Sequence, residues 1–156
     1  MRDREAADIG LCVQALAAVY ESSGYPSIWP ADPARWLTPS RAQRAWVAAT
    51  GEIPVAGHVI VRQPPPGAAS QHAAEVSRLF VVPPGRRQGI AQALLGQAMR
   101  WAAANDLDLI LDVTDHLLAA RALYERIGFC LIDTRQADWT TPDGRPVTLH
   151  RYAWSC

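Results

Sequence analysis

The run Glu75-Val76-Ser77-Arg78-Leu79-Phe80-Val81-Val82-Pro83-Pro84-Gly85-Arg86-Arg87-Gln88-Gly89-Ile90-Ala91 contains the end of a strand, a tight turn and the opening of a helix. Ala74 to Val82 has the apolar, β-branched character of a strand, and Pro83-Pro84-Gly85 stops it. From Ile90 to Ala104 the apolar residues Ile90, Leu94, Leu95, Ala98, Met99 and Ala102 fall on one helical face. The first amides of such a helix have no intrahelical acceptor, and the helix dipole adds partial positive charge there. Gly89 allows the backbone to approach a ligand closely, Ala91 is small, and Arg86 and Arg87 add cationic charge. The segment therefore predicts a phosphate or pyrophosphate site. The competing structural reading is a capped helix with solvated arginines.

Downstream, Leu107 to Thr114 is a continuous apolar run with a late Asp112, which predicts a strand buried on both faces. A helix follows from about Leu117 to Ile127, ended by Gly128. Phe129 to Asp133 begins another strand, Pro142-Asp143-Gly144 predicts a turn, and Val147 to Trp154 returns as the last strand. Upstream, Ile9, Val13, Leu16, Ala17 and Tyr20 predict a helix over Ile9 to Glu21, with Asp8 as N-cap and Gly24 beyond its end. The few residues before it allow a short strand at most. Three prolines divide Gly24 to Leu37, where a short helix can start at Pro33. Arg44 to Thr50 and Val55 to Arg62 predict an antiparallel hairpin, and Gln63 to Gln71 a proline-stiffened loop. Hairpins flanking two strand-to-helix units imply a mixed sheet with helices on both faces.

The length of 156 residues suits one domain, residues 1–156, with its own core. The net charge is zero, which argues against broad binding to nucleic acid or anionic membranes. Cys12, Cys130 and Cys156 are odd in number, widely spaced and outside any CxxC, so three free thiols in a reducing, cytoplasmic compartment are expected, without a zinc site. The N-terminus has no signal-type stretch, and no apolar run approaches a membrane span.

Arg86-Arg87-Gln88-Gly89-Ile90-Ala91 resembles the (Arg/Gln)-x-x-Gly-x-(Gly/Ala) signature of GNAT N-acetyltransferases, preceded by a matching strand and proline, Leu79-Phe80-Val81-Val82-Pro83. Ala119-Ala120-Arg121-Ala122-Leu123-Tyr124-Glu125-Arg126-Ile127-Gly128-Phe129 resembles the family's second signature, A-x-x-L-Y-x-x-x-G-F, in the right order downstream. The resemblance covers nearly the whole chain and is weak before about Trp46. It implies a GNAT-like α/β fold: a mixed, mostly antiparallel sheet of six to seven strands flanked by about four helices. It further implies acetyl-CoA as co-substrate, no metal, and a homodimer paired through the last strands.

Carried over by residue, the resemblance implies that amides from Arg86 to Ala91, including Arg87, Gln88, Gly89 and Ile90, cradle the coenzyme A pyrophosphate. Phe80 to Val82 splays from Leu111 to Val113 to admit the pantetheine arm, with the Val81 main chain polarising the acetyl carbonyl. Leu117 and Ala120 flank the cofactor; Leu117 stands where the family often has an asparagine, with Asp115 and His116 as neighbours that could replace its contact. Tyr124 is the implied general acid for the thiolate, against the alternative of a core tyrosine bonded to the backbone. Glu75, six residues before Val81, resembles the base of the histone-acetyltransferase branch. Strict alternation would put Glu75, Ser77, Leu79 and Val81 on one face. The alternatives are a Glu75 paired with an arginine such as Arg78, and a water chain as base. Asp112 and His116 are weaker candidates for the base, while His58 and His150 on strands read as satisfied structural histidines.

The acceptor site of that fold would draw on Tyr20, Tyr25, Trp29, Trp36 and the turn that begins at Trp139. An aromatic wall suits an amine with an apolar or cationic part, whether a small molecule, an amino acid derivative or a peptide. Two other functions compete: a non-catalytic acyl-CoA-binding module, and a toxin-like acetyltransferase of charged tRNA. The intact Gly89 and Tyr124 argue against the first, and the neutral charge against the second.

Overall fold

A computed structural model of the protein describes residues 1–67 and 71–154. The chain forms β1 (Arg2–Asp3), α1 (Ile9–Ser23), α2 (Pro33–Trp36), β2 (Ala42–Thr50), β3 (Ile53–Arg62), β4 (Ala73–Val81), α3 (Ile90–Ala104), β5 (Asp108–Thr114), α4 (Leu118–Arg126), β6 (Cys130–Thr140) and β7 (Pro146–Trp154). The strands make one sheet in the order β1-β2-β3-β4-β5-β7-β6. All neighbours are antiparallel except β4 and β5. That parallel pair needs a crossover, which α3 supplies.

Each face of the sheet has its own core. Under α3 and α4, Leu94 and Leu95 meet Ala74, Val76, Leu109, Leu111, Tyr124 and Tyr152. Under α1, Cys12, Leu16 and Val19 meet Val47, Ala56, Phe80 and Val82. The apolar run of β5 splits between faces: Leu109, Leu111 and Val113 face α3, while Ile110 packs with Ala73 and Ala153 on the other side. Gly57 of β3 lets α3 sit close to the sheet. A Cβ there would stand 2.6 Å from Ile90 Cγ2 and 2.9 Å from Leu94 Cδ1. Real Cβ atoms essentially never come that close, so a larger residue would force the Ile90 and Leu94 side chains, or the start of α3 with them, to shift.

Two local readings are corrected. Asp8 does not cap α1 with its side chain. It closes the turn before it instead, accepting from the Glu5 amide at 2.7 Å and from both terminal nitrogens of Arg2. Cys130 is disulfide-bonded, so the expectation of free thiols is met by the buried Cys12 but not by Cys130; Cys156 lies outside the described residues. Wide spacing along the chain was a poor guide here, because antiparallel pairing of β6 and β7 returns Ala153 to the side of Cys130.

β6 is also longer than expected, running on to Thr140, so Trp139 belongs to a strand and not to the turn.

Candidate active site

The candidate cavity opens where β4 and β5 part. Their ladder pairs Ala73 to Val76 with Asp108 to Leu111 and stops there, although both strands continue. The Val82 N–H donates to Ala56 O of β3 at 2.8 Å. Main-chain groups alternate sides along a strand, so the N–H and C=O of Val81 face the opposite edge, the one β5 leaves free. Polar backbone aimed into an opening is what an extended amide-bearing ligand needs.

A bulge interrupts β4 just before that point. Phe80 pairs with His58 and Ser77 with Ile60, so Arg78 and Leu79 together oppose Val59. Arg78 takes a left-handed conformation, φ 54°. The extra residue reverses the inside-outside alternation. Leu79 therefore packs toward α3, whereas Phe80 faces α1, and the single face expected for Glu75, Ser77, Leu79 and Val81 is broken.

His58 holds the bulge. It is fully buried, its ring stacks on Phe80 at 4.9 Å, its Nδ1 lies 2.8 Å from Arg78 O, and its Nε2 lies 2.8 Å from Arg4 Nη1. A guanidinium can only donate, so Nε2 accepts and Nδ1–H donates to the Arg78 carbonyl. Burial lowers the imidazole to about 4, well below its ordinary value; the bond to the Arg78 carbonyl opposes that shift, and the charges of Arg4 and Arg78 add to it. His150 contacts Thr134 Oγ1 at 3.1 Å near the surface.

At the head of α3 the amides of Arg87 through Gln92 have no backbone acceptor among the described residues, whereas Ala93 N–H bonds Gly89 O. The Arg86 amide is already taken by Pro83 O, so the free donors begin one residue later than expected. Gly89 has φ 75° and open space around its missing Cβ. Arg87 is also left-handed, at φ 63°, which turns successive amides the same way. Gln88 braces the turn by donating to Pro84 O and accepting from Thr50, and Arg86 reaches Ser22 and Ser23 at the end of α1. Free amides, a helix N-terminus and a glycine that leaves room fit a pyrophosphate.

The cavity has a volume of about 1050 Å³. It brings together Tyr124, Glu75, Phe80, Val81, Arg86, Ala91, Leu117, Ala120, Tyr25, Trp36 and Trp139 from the sequence reading. Arg87, Gln88, Gly89 and Ile90 form the turn that joins the lining residues Arg86 and Ala91 but do not themselves line the cavity, and Val82 is buried under α1. Tyr20 and Trp29 pack on each other at 5.2 Å outside the cavity.

Tyr124 is buried against Phe129 and Tyr152, yet it lines the cavity and its hydroxyl bonds no described residue. Burial raises it far above the ordinary phenol range, and Tyr25 adds to the shift. Burial likewise pushes Tyr25 up to about 12, against the pull of Arg78 and Arg62. Both hydroxyls therefore stay protonated and can donate. Leu117 heads α4 without a side-chain cap.

Glu75 is ion-paired: Arg62 Nε donates to Oε1 at 2.7 Å, and Arg151 lies 3.9 Å from Oε2. These are arginines other than Arg78. Asp112 is held by Arg151 and Arg135. Its desolvation opposes the charge, but the arginine bonds outweigh it and lower the carboxyl. Sequence reasoning missed this polar floor. Its members come from five strands, and only the order β3-β4-β5-β7-β6 makes them neighbours. Among the described residues no group of three or more His, Cys, Asp or Glu is placed to hold a metal, and no helix is long and apolar enough to cross a membrane.

The model of the acetyltransferase (GNAT) family matches residues 13–129. No curated protein matches the chain. Among solved structures, a GCN5-related N-acetyltransferase from Kribbella flavida is 26% identical with a TM-score of 0.74, covering 97% of this chain and 94% of that one. The ribosomal-protein-alanine N-acetyltransferase from Brucella melitensis is 22% identical with a TM-score of 0.78, covering 97% and 96%. The ribosomal-protein-S18-alanine N-acetyltransferase from Escherichia coli is 21% identical with a TM-score of 0.75, covering 97% and 90%. The last two likenesses establish the fold alone.

Proposed function

Because the chain belongs to the GNAT acetyltransferase family, we propose that it transfers an acetyl group directly from acetyl-CoA to a primary amine. One observation carries this reading: the β4–β5 opening leads from the free amides ahead of α3 to the unbonded hydroxyl of Tyr124 within one cavity.

The amides of Arg87 to Gln92 would hold the pyrophosphate, and the exposed main chain of Val81 would bond the pantetheine arm or the acetyl oxygen. A donor aimed at the oxygen that gains charge contributes about 3–4 kcal/mol in comparable sites. Acetyl-CoA supplies the activated thioester. The amine nitrogen forms the C–N bond, the C–S bond gives its electron pair to sulfur, and Tyr124 donates to that sulfur. The proton lost by the amine balances the one sulfur gains. Both Glu75 oxygens face arginines, which favours water as the immediate proton acceptor and gives Glu75 the task of fixing Arg62 and Arg151.

Acetyl-CoA-dependent thiol release with a panel of primary amines tests the reaction. Amine-stimulated release supports it, and hydrolysis that no amine accelerates rejects it. Gly89→Glu tests the phosphate turn. Its carboxylate at a left-handed position is expected to weaken coenzyme A binding at least 100-fold, about 3 kcal/mol. Unchanged affinity by calorimetry would remove the turn from the site.

A further inference from the structure

The cavity floor is unevenly charged, although the chain as a whole is neutral. Arg62 is matched to Glu75, and Arg135 and Arg151 to Asp112. Arg78 lines the same cavity and has no ion-pair partner among the described residues. It is nonetheless rigidly held. Its guanidinium lies 4.0 Å from the Trp36 ring centroid, Nε donates to Trp36 O at 3.2 Å, and Nη1 donates to Ser77 Oγ at 3.0 Å. The bulge fixes its backbone, and burial lowers its affinity for its proton. A half-buried cation that is preorganised and paired with no carboxylate among the described residues is an anion-recognising group. Tyr25 and Tyr124 line the same cavity as this cation.

Resting on the acetyltransferase reading, we infer that the acceptor is an amine that carries a carboxylate, an amino acid whose α-carboxylate is bound by Arg78 while its side chain lies toward Trp139. This narrows the acceptor classes that the aromatic wall alone allowed and disfavours polyamines and internal peptide amines. A peptide N-terminus presents an amide where the free amino acid presents its carboxylate, so those two classes are separable by one functional group.

The test reads the product side and does not depend on turnover. Coenzyme A binding is first measured by calorimetry. Protein saturated with coenzyme A is then titrated with N-acetyl-L-leucine, N-acetyl-L-phenylalanine and their primary amides, followed by tryptophan fluorescence. Each carboxylate is expected to bind at least about 10-fold more tightly than its amide. Arg78→Met should bring the ratio to within about 2-fold, and Arg78→Lys, which keeps the charge should the Met variant fold poorly, should retain part of it. Equal affinities, tighter amides, failure of both probes to bind, or an unchanged ratio in folded Arg78→Met would overturn the inference and leave the acetyltransferase reading standing. Loss of coenzyme A binding by the unmodified protein would instead fail that underlying reading, and this inference with it.

Discussion

Tyr124→Phe is expected to lower kcat for acetyl transfer about 100- to 1000-fold, the range in which a positioned acid contributes, while leaving the dissociation constant for acetyl-CoA within about 2-fold. The ring contacts with Phe129 and Tyr152 involve no hydroxyl, so the substitution keeps the packing under α4. The hydroxyl makes no described hydrogen bond that its loss would orphan, so stability should change little. The comparison is stopped-flow or steady-state thiol release against calorimetric binding. Equal turnover would dismiss Tyr124 as the acid, and a parallel loss of binding would make its role one of packing. Because burial keeps the phenol protonated, the rate should show no falling limb from Tyr124 up to about pH 9.

The second large effect is on stability, at His58. The folded imidazole titrates at about 4 and the unfolded one at its ordinary 6.5. Above pH 6.5 both states are neutral there and the full stability is present. As pH falls below 6.5 the unfolded state takes up a proton that the folded state refuses, so stability declines until the folded group also titrates near 4. The linkage amounts to about 3 kcal/mol in all, and about 2 kcal/mol by pH 5. Asp8 does not obscure this. The Arg2 bond and the Glu5 amide lower it to about 2, so its contribution is lost only as pH falls from the ordinary carboxyl range toward that value. Urea unfolding at pH 7 and pH 5 should show the loss. His58→Gln, whose amide can accept from Arg4 and donate to the Arg78 carbonyl, should abolish the difference. Equal unfolding free energies for the unmodified protein at the two pH values would contradict the buried neutral assignment.

These two residues mark what the sequence made legible and what it did not. Tyr124 and the turn around Gly89 lie inside contiguous motifs, where local spacing determines local geometry, and the strand-turn-helix order there was readable from proline, glycine and helical periodicity. The bulge at Arg78 and Leu79 had no local signal. It is built from Arg4, Trp36 and His58, which lie far from it along the chain, and it reversed the alternation used to place Leu79 with Glu75. The arginine floor was hidden for a similar reason: Arg62, Arg135 and Arg151 read one at a time as ordinary strand charges, and only sheet order makes them a site. Tyr20 and Trp29 are placed apart from the other aromatic residues of the sequence reading. Aromatic composition suggested a wall, but they satisfy each other outside the cavity.

The most direct check of the central claim is a calorimetric titration of the protein with acetyl-CoA and, separately, with coenzyme A. Saturable binding of both at a single site with a micromolar dissociation constant, about −8 kcal/mol, is the predicted result; no binding of either ligand at millimolar concentration would contradict the assignment of the β4–β5 opening and the α3 amides as the acetyl donor site.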